Sequence, residues 1–283
     1  MPLHVASFYR FIDIETPEAV QAGLEDLCAA QGLLGTILVA EEGFNGTLAG
    51  SKPAIESVFT WLRKALNLSS PVEARWTQAE SPPFKRMKVR VKREIVTLGR
   101  PDIRPQNRTG THVPPAEWNA LIDDPDTLLI ETRNHSEIDV GTFPAALDPG
   151  TDSFRQFPAF AEGLADVARD RPIAMYCTGG IRCEKASALL QEMGFSDVNQ
   201  LEGGILNYLE QVRGADNRWR GECFVFDTRV AVDRDLAEGG YEQCHACRRP
   251  LSSEDLASDD YREGVSCPHC INNPGGVRRP GQE

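Results

Sequence analysis

The sequence predicts a multidomain protein in which an α+β domain is followed by a parallel-sheet α/β domain and a small cysteine-rich tail. Three observations predict this order. Segments with strand or helix periodicity follow one another irregularly near the N-terminus and alternate strictly in the middle of the chain, and four of the eight cysteines lie close to the C-terminus. A chain of 283 residues also exceeds the usual size of a single domain.

The N-terminal domain, residues 1–98, shows six segments in the order strand, helix, strand, strand, helix, strand. The first helix is predicted to begin at Pro17 with Thr16 as its N-cap, because proline is favoured in the first helical position. Glycines within 43–46 predict a hairpin turn between the second and third strands. This order of elements is that of a ferredoxin-like α+β sandwich.

A basic strand is predicted at the end of this domain. Between residues 84 and 108 the chain carries nine basic residues and two acidic ones, although its formal net charge is −12. Apolar and basic side chains alternate in the middle of this stretch, so one strand face is apolar and the other is positive. The concentration of charge predicts an RNA-binding surface, and a solvated strand face is the alternative. The candidate RNA-binding residues are Lys85, Arg86, Lys88, Arg90, Lys92 and Arg93.

A linker and an α/β domain are predicted next. Residues 99–112 are rich in proline and arginine and show no periodicity, which indicates a linker. From 113 to 214 strands alternate with helices, which predicts a parallel sheet with crossover helices. The functional site of such a domain is expected at the carboxyl ends of its strands. Residues 215–283 form the predicted C-terminal extension.

A cysteine lies at one of these carboxyl ends. This cysteine is Cys177. It is followed by a turn made of Thr178, Gly179, Gly180, Ile181 and Arg182, and a helix begins near Cys183. Glycines let successive backbone N–H groups point inward, and a helix N-terminus adds positive potential, so the turn is predicted to hold an anion. Such a loop lowers the pKa of a thiol, which makes Cys177 the candidate nucleophile and Arg182 its charged partner. A buried structural cysteine is the alternative.

The length of the loop indicates which anion it is able to hold. Four residues separate Cys177 from Arg182, one fewer than cysteine phosphatases use to wrap a phosphate. The shorter loop favours a persulfide or another small anion. Cys183 has two interpretations: a resolving thiol for Cys177, or an early helix residue packed on the sheet.

The tail carries a metal-binding pattern. Its cysteines follow the spacing C-x2-C-x19-C-x2-C, and the predicted ligands are Cys244, Cys247, Cys267 and Cys270. Four thiolates in two knuckles predict a structural zinc site, with redox dithiols or another soft metal as alternatives. The interleaved His245 and His269 are predicted to face solvent.

Several classes of protein are disfavoured. The N-terminus lacks an export signal, no apolar run is long enough to cross a membrane, and the cysteines cluster like metal ligands, so a cytoplasmic protein without disulfides is expected. No dinucleotide fingerprint is present, and five scattered histidines form no convincing iron site, so no nucleotide cofactor is expected. The acidic balance disfavours indiscriminate coating of nucleic acid.

Motifs along most of the chain resemble one known family. The segment from Glu131 to Tyr208 resembles a rhodanese domain in its first strand and loop, in CTGGIRC and in LEGGILNY. Glu131 stands where rhodaneses usually carry an aspartate, and Thr142 and Ala145 replace a common histidine and glycine. The wider set of motifs is similar to the tRNA uridine(34) hydroxylase family: ASFYRF, EGFNGTLAG, FKRMKVRVK, FRQFP, CTGGIRCEKASA and FVFDTRV.

This resemblance implies a rhodanese-like catalytic domain between an acylphosphatase- or ferredoxin-like N-terminal domain and a zinc-knuckle tail. It implies an oxidoreductase that uses molecular oxygen to convert the wobble uridine in the anticodon loop of tRNA to 5-hydroxyuridine, with Cys177 as the essential cysteine. The expected intermediate is either an adduct of Cys177 with C6 of the uracil or a Cys177 persulfide. The alternative functions are a sulfurtransferase that moves sulfane sulfur through a cysteine persulfide, and a non-catalytic RNA-binding module.

Overall fold

A computed structural model describes residues 3–272 of the chain. The chain divides into two compact units, Met1–Thr109 and Gly110–Glu283. Among the residues described, no helix combines the length and the apolar character needed to cross a membrane.

The first unit contains the predicted ferredoxin-like sandwich with one strand added. Its elements are β1 (Leu3–Phe11), α1 (Pro17–Ala30), β2 (Leu34–Ala40), β3 (Gly43–Gly50), α2 (Lys52–Ala65), β4 (Arg75–Ala79) and β5 (Met87–Val91). The strands form one sheet in the order β4-β1-β3-β2-β5. Neighbouring strands are antiparallel except β2 and β5, which are parallel. The predicted α+β class is confirmed, and the basic strand is β5 at the edge of the sheet.

The core of this unit lies between the two helices and the sheet. Pro17 begins α1 as predicted, although the Thr16 side chain makes no capping hydrogen bond. Ser51 caps α2 by accepting a hydrogen bond from the backbone N–H of Ala54 at 3.3 Å. Alternate residues of β2 are buried, which is the pattern of a strand with one face against a core. The fully buried side chains that meet there include Leu24, Cys28, Ile37, Phe44, Ile55, Val58 and Leu62.

The stretch predicted as a linker, 99–112, differs from a free tether. Residues up to 109 belong to the first unit, and Ile103 is only 2% exposed. The carboxylate of Glu94 accepts hydrogen bonds from the backbone N–H groups of Leu98 and Gly99, each at 3.0 Å, which fixes the start of the stretch. Isolated apolar anchors and turns hold this segment, so it leaves no periodic signal in the sequence.

The second unit contains the predicted parallel sheet. Its elements as far as the last crossover helix are β6 (Thr111–Val113), α3 (Pro115–Ile122), β7 (Leu128–Glu131), α4 (His135–Ile138), β8 (Gly141–Thr142), α5 (Phe157–Glu162), β9 (Ile173–Tyr176), α6 (Ile181–Glu192), β10 (Val198–Leu201) and α7 (Gly204–Gln211). The main sheet has the order β6-β10-β9-β7, and each neighbouring pair is parallel. The predicted α/β class is confirmed.

Short elements complete the second unit: β11 (Arg220–Gly221), β12 (Cys223–Phe224), β13 (Ala231–Val232), β14 (Glu242–Gln243), β15 (Pro250–Leu251) and α8 (Ser253–Ala257). β11 pairs with β8, and β12 pairs with β13. Trp219 is fully buried, and its ring lies edge-on to that of Phe143 with 5.0 Å between centroids. The core of the α/β domain therefore continues past the predicted boundary at 214 and includes the segment from 219 to 232.

Candidate active site and metal site

The candidate active loop joins β9 to α6. Cys177 follows the last residue of β9, and Gly180 caps α6 with a left-handed φ of 97°, a conformation that favours glycine. The carbonyl groups of Cys177 and Thr178 accept hydrogen bonds from the N–H groups of Ile205 (2.9 Å) and Leu206 (3.1 Å) in the first turn of α7. The loop carbonyls are thus turned toward α7, which leaves loop N–H groups free to face the sulfur.

Gly204, in the motif LEGGILNY, permits this contact between α7 and the loop. A Cβ atom on Gly204 would lie 2.5 Å from the carbonyl oxygen of Cys177, and its φ of 67° is also in the left-handed region. Neither condition suits a larger residue. Gly204 is therefore explained by the close approach of α7 to the loop, and Gly203, the N-cap of α7, by its own left-handed φ of 69°.

The thiol of Cys177 is buried, with 1% exposure, and accepts a hydrogen bond from the N–H of Gly180 at 3.1 Å. Burial alone would raise the pKa of this thiol. The hydrogen bond from the Cys183 thiol, the charge of Arg182 and the backbone N–H groups of both residues outweigh burial and lower the pKa to about 5. Cys177 is therefore a thiolate at neutral pH.

Cys183 lies in the first turn of α6 and is fully buried. Burial and the neighbouring Cys177 thiolate raise the pKa of Cys183 well above its ordinary value, so it stays protonated and donates its hydrogen bond. Its sulfur also lies 3.5 Å from the hydroxyl oxygen of Thr132. This geometry fits a packed helix residue that stabilises the thiolate, and it also places Cys183 beside the sulfur that a resolving thiol would attack.

Arg182 does not extend a free guanidinium into the loop. Its two terminal nitrogens donate to the two carboxylate oxygens of Glu137, at 2.8 and 2.7 Å, and both side chains are buried. Burial would raise the pKa of Glu137, but the charge and hydrogen bonds of Arg182 lower it below the usual value. Arg182, the predicted charged partner of Cys177, is thus held in a buried ion pair, and its positive charge acts on Cys177 from this fixed position.

The sequence-based prediction missed Glu137. The residue lies in the first turn of α4, where its carboxylate accepts a hydrogen bond from the backbone N–H of the N-cap residue Asn134 at 3.4 Å. The spacing N-x-x-E in the sequence carries that signal, but it does not reveal a partner 45 residues away.

A second buried ion pair supports the first. The Arg133 side chain donates to Glu131 at 2.6 and 3.0 Å and to the carbonyl group of Gly141 at 2.6 Å, and it packs over the ring of Trp219. The other oxygen of Glu131 accepts the N–H groups of Thr132 and Arg133. Both carboxylate oxygens of Glu131, which replaces the shorter aspartate of most rhodaneses, thus accept hydrogen bonds.

Open space lies above the loop at one position. Gly179 is exposed, and a Cβ atom built there would meet no atom within 4 Å. Ile181 is half-buried, and the hydroxyl of Thr178 donates to the carbonyl group of Phe224 at 3.4 Å. A substrate reaching Cys177 from this side meets the backbone of Gly179 first.

The candidate RNA-binding residues lie on or beside β5, in the first unit. Met87 and Val89 pack against the core, and Arg90 is exposed. Lys85, Arg86 and Arg93 are also exposed, whereas Lys88 and Lys92 are half-buried. Partial burial and the charges of Arg86 and Arg90 lower the pKa of Lys88, as expected where cations are crowded. The structure therefore gathers these cations along one sheet edge.

The four tail cysteines converge. Their sulfur atoms all lie within 4.8 Å of one another, and all four residues are buried. The group is able to hold a metal ion, and all eight cysteines of the chain are free thiols. His245 is exposed, as predicted, but Nε2 of His269 lies 3.0 Å from a carboxylate oxygen of Asp255. The first pair lies in a short turn that is closed by a hydrogen bond from the N–H of Cys244 to the carbonyl group of Arg249 at 3.0 Å.

Known proteins match this chain in both units. A family model described as UPF0176 acylphosphatase like domain matches residues 3–95, and a rhodanese-like domain model matches residues 114–211. Two solved structures are similar to part of this chain: the rhodanese-like domain of an Anabaena protein (16% identity, 40% of this chain, 80% of that one, TM-score 0.33) and a polysulfide-sulfur transferase from Wolinella succinogenes (20% identity, 40% of this chain, 82% of that one, TM-score 0.32).

A relative that matches nearly the whole chain identifies the family. A protein of Mesorhizobium japonicum named tRNA uridine(34) hydroxylase is 50% identical over 271 residues, which cover 96% of this chain and 87% of that protein. The match extends through both units and the cysteine-rich tail. The chain belongs to the tRNA uridine(34) hydroxylase family.

Proposed function

We propose that this protein is an oxygen-dependent oxidoreductase that hydroxylates the wobble uridine of tRNA to 5-hydroxyuridine, with Cys177 at the reacting centre. The observation that carries the proposal is a buried thiolate, with a pKa of about 5, in the active loop of a chain so similar to a tRNA uridine(34) hydroxylase. A tRNA substrate also implies that the protein works in the cytoplasm.

The chemistry follows from the position of the thiolate. Carbon C6 of uracil is the electrophilic end of a conjugated enone, and the Cys177 sulfur adds there to form a C6–S bond. The electron pair displaced from the C5–C6 double bond becomes an enolate with carbanion character at C5. Loop N–H groups and the nearby charge of Arg182 stabilise this negative charge.

Oxidation at C5 then needs an oxidant and a reductant. Molecular oxygen supplies one oxygen atom to C5, and the other leaves as water after taking up two electrons and two protons from an external reductant. Loss of the C5 proton and departure of the thiolate restore the double bond. The sulfur therefore returns to its starting state after each turnover.

The function is tested by nucleoside mass spectrometry of unmodified tRNA incubated with the protein and a reductant, in air and without oxygen. We expect a gain of one oxygen atom on the wobble uridine in air and none without oxygen. Unchanged tRNA together with transfer of sulfur from thiosulfate to cyanide would instead support the sulfurtransferase function, which the same loop is able to perform.

The basic strand is proposed to dock the anticodon arm of the tRNA. Replacing Lys88, Arg90 and Lys92 with alanine should weaken tRNA binding and reduce the slope of log K against log salt by about 2 to 3, because each lost phosphate contact removes about 0.7 to 0.9 from it. Fluorescence anisotropy over a range of salt concentrations measures both quantities.

A matched control removes the same charge elsewhere in the first unit. Lys52, Arg63 and Lys64 are exposed residues of α2, and their triple alanine variant should bind tRNA with nearly the wild-type slope. Equal slopes for the two triple variants would show that β5 contributes only general charge and would contradict the docking surface.

The tail cysteines are proposed to hold a structural zinc ion. Four thiolates match the preference of Zn²⁺, and a structural zinc contributes about 10–16 kcal/mol of apparent binding free energy to folding. We expect one zinc per chain by elemental analysis, and loss of both the zinc and the protease resistance of the tail in the Cys267→Ser variant. His245→Ala, at an exposed non-ligand position between two ligands, should keep both. Purification of protein free of zinc, or loaded with iron, would contradict the assignment.

A further inference from the structure

An exposed aromatic ring flanks the active loop. Phe226 is 68% exposed, and it lies in the segment after β12 that the sequence assigned to the C-terminal extension. A single exposed phenylalanine needs no functional explanation by itself. Phe226, however, lies close to both ends of the active loop, and this position calls for an explanation.

Two independent contacts fix that position. At the start of the loop, the hydroxyl of Thr178, the residue after Cys177, donates to the backbone carbonyl of Phe224, two residues before Phe226. At the end of the loop, the guanidinium carbon of Arg182 lies over the Phe226 ring, 5.8 Å from its centroid. The ring therefore stands beside the entrance to the loop.

The ring is also held in place. The segment around it closes as a turn, in which the N–H of Val225 donates to the carbonyl group of Val230 at 2.8 Å. Asp227 and Arg229 form an ion pair at 2.6 Å within the turn. Phe224 packs edge-on against Phe226 with 5.1 Å between centroids. A ring fixed in this way loses little conformational freedom on binding.

We propose that Phe226 is the stacking platform for the uracil that enters the loop, an inference that rests on the proposed function. Arg182 covers one face of the ring as a cation, and the exposed area is available to a planar base. Single-stranded RNA is generally recognised by splayed bases that stack on aromatic side chains, and every base offers a π-face to such a ring. The platform would hold the pyrimidine plane beside the thiolate.

The test compares substitutions of Phe226 in the full-length protein, using an anticodon stem-loop RNA with uridine at the wobble position. Phe226→Ala should weaken binding about 5- to 160-fold, the range measured for loss of one base–aromatic stack. Phe226→Trp and Phe226→Tyr should restore binding and Phe226→Leu should not, because only aromatic rings stack. Val265→Ala, at a position with the same 68% exposure in the tail, is the matched control and should bind as wild type.

An RNA that lacks the base at the wobble position identifies the stacked nucleotide. Wild type and Phe226→Ala should bind this abasic RNA equally, whereas an RNA abasic at the next nucleotide should still separate them. Rescue by leucine, or equal binding of wild type and Phe226→Ala to the complete RNA, would overturn the platform. If wild-type protein failed to hydroxylate uridine at all, the proposed function itself would fall, so the two failures are distinguishable.

Discussion

Replacement of Cys177 by serine is expected to reduce hydroxylation of the wobble uridine by at least about 10³-fold, because the nucleophile of the reaction is lost. A serine hydroxyl fits the same space and can accept the hydrogen bond from the N–H of Gly180, so the loop should keep its structure. The hydroxyl is not ionised near neutral pH and is therefore a far weaker nucleophile. The measurement is the single-turnover rate, followed by nucleoside mass spectrometry.

Two controls accompany this variant. Binding of tRNA should remain within about twofold of wild type, because a serine preserves the loop shape that the backbone hydrogen bonds of α7 determine. The far-UV circular dichroism spectrum should be unchanged. A variant that binds tRNA and still forms 5-hydroxyuridine at the wild-type rate would remove Cys177 from the reaction.

The pH dependence of alkylation reports the same thiolate in the wild-type protein. With a pKa of about 5, Cys177 is ionised above that pH, so its rate with iodoacetamide should be flat from about pH 6 to about pH 9 and fall below about pH 5. Burial raises the pKa of Cys28 to about 11 and that of Cys223 to about 12, so both should stay unlabelled as internal controls. A Cys177 rate that rises tenfold per pH unit up to about pH 8.5 would indicate an ordinary thiol.

The active loop was predictable from the sequence because its determinants are local. An apolar strand, two glycines and a helix start follow one another within a few residues, and each of these signals acts at short range. The order of elements in the first unit was predictable for the same reason. The four-cysteine group was predictable because metal ligands occur in pairs with characteristic spacing.

What escaped prediction depends on contacts between distant residues. The sequence shows Arg182 at the end of an anion-holding loop, but its guanidinium is paired with Glu137, on a helix that the sequence barely marks. The two-residue strands β11, β12 and β13 are too short to give periodicity, so the domain boundary fell at 214 rather than after them. That boundary separated Phe226 from the loop that it flanks.

Breaking the Arg182–Glu137 pair is expected to destabilise the α/β domain strongly. Arg182→Ala would leave the buried carboxylate of Glu137 without its partner, which should lower the free energy of unfolding by about 3–5 kcal/mol. The pKa of Glu137 is lowered in the folded wild type, so its contribution is present above the ordinary carboxyl pKa of about 4.3 and is lost as pH falls through the folded value. The deficit of the variant should therefore be largest at neutral pH and shrink on acidification, as measured by urea unfolding.

The double variant Arg182→Met/Glu137→Leu separates the two roles of this pair. Replacing a buried ion pair by apolar side chains of similar volume is often neutral for stability, so the double variant should recover most of the loss. It lacks the positive charge that lowers the pKa of Cys177, so the alkylation profile should still shift to higher pH. Recovery of stability without recovery of the low thiol pKa would show that the buried arginine has an electrostatic role at the sulfur in addition to its structural one. If both properties recovered, the N–H groups and the Cys183 thiol would be sufficient to hold the thiolate, and Arg182 would act on the loop through packing alone.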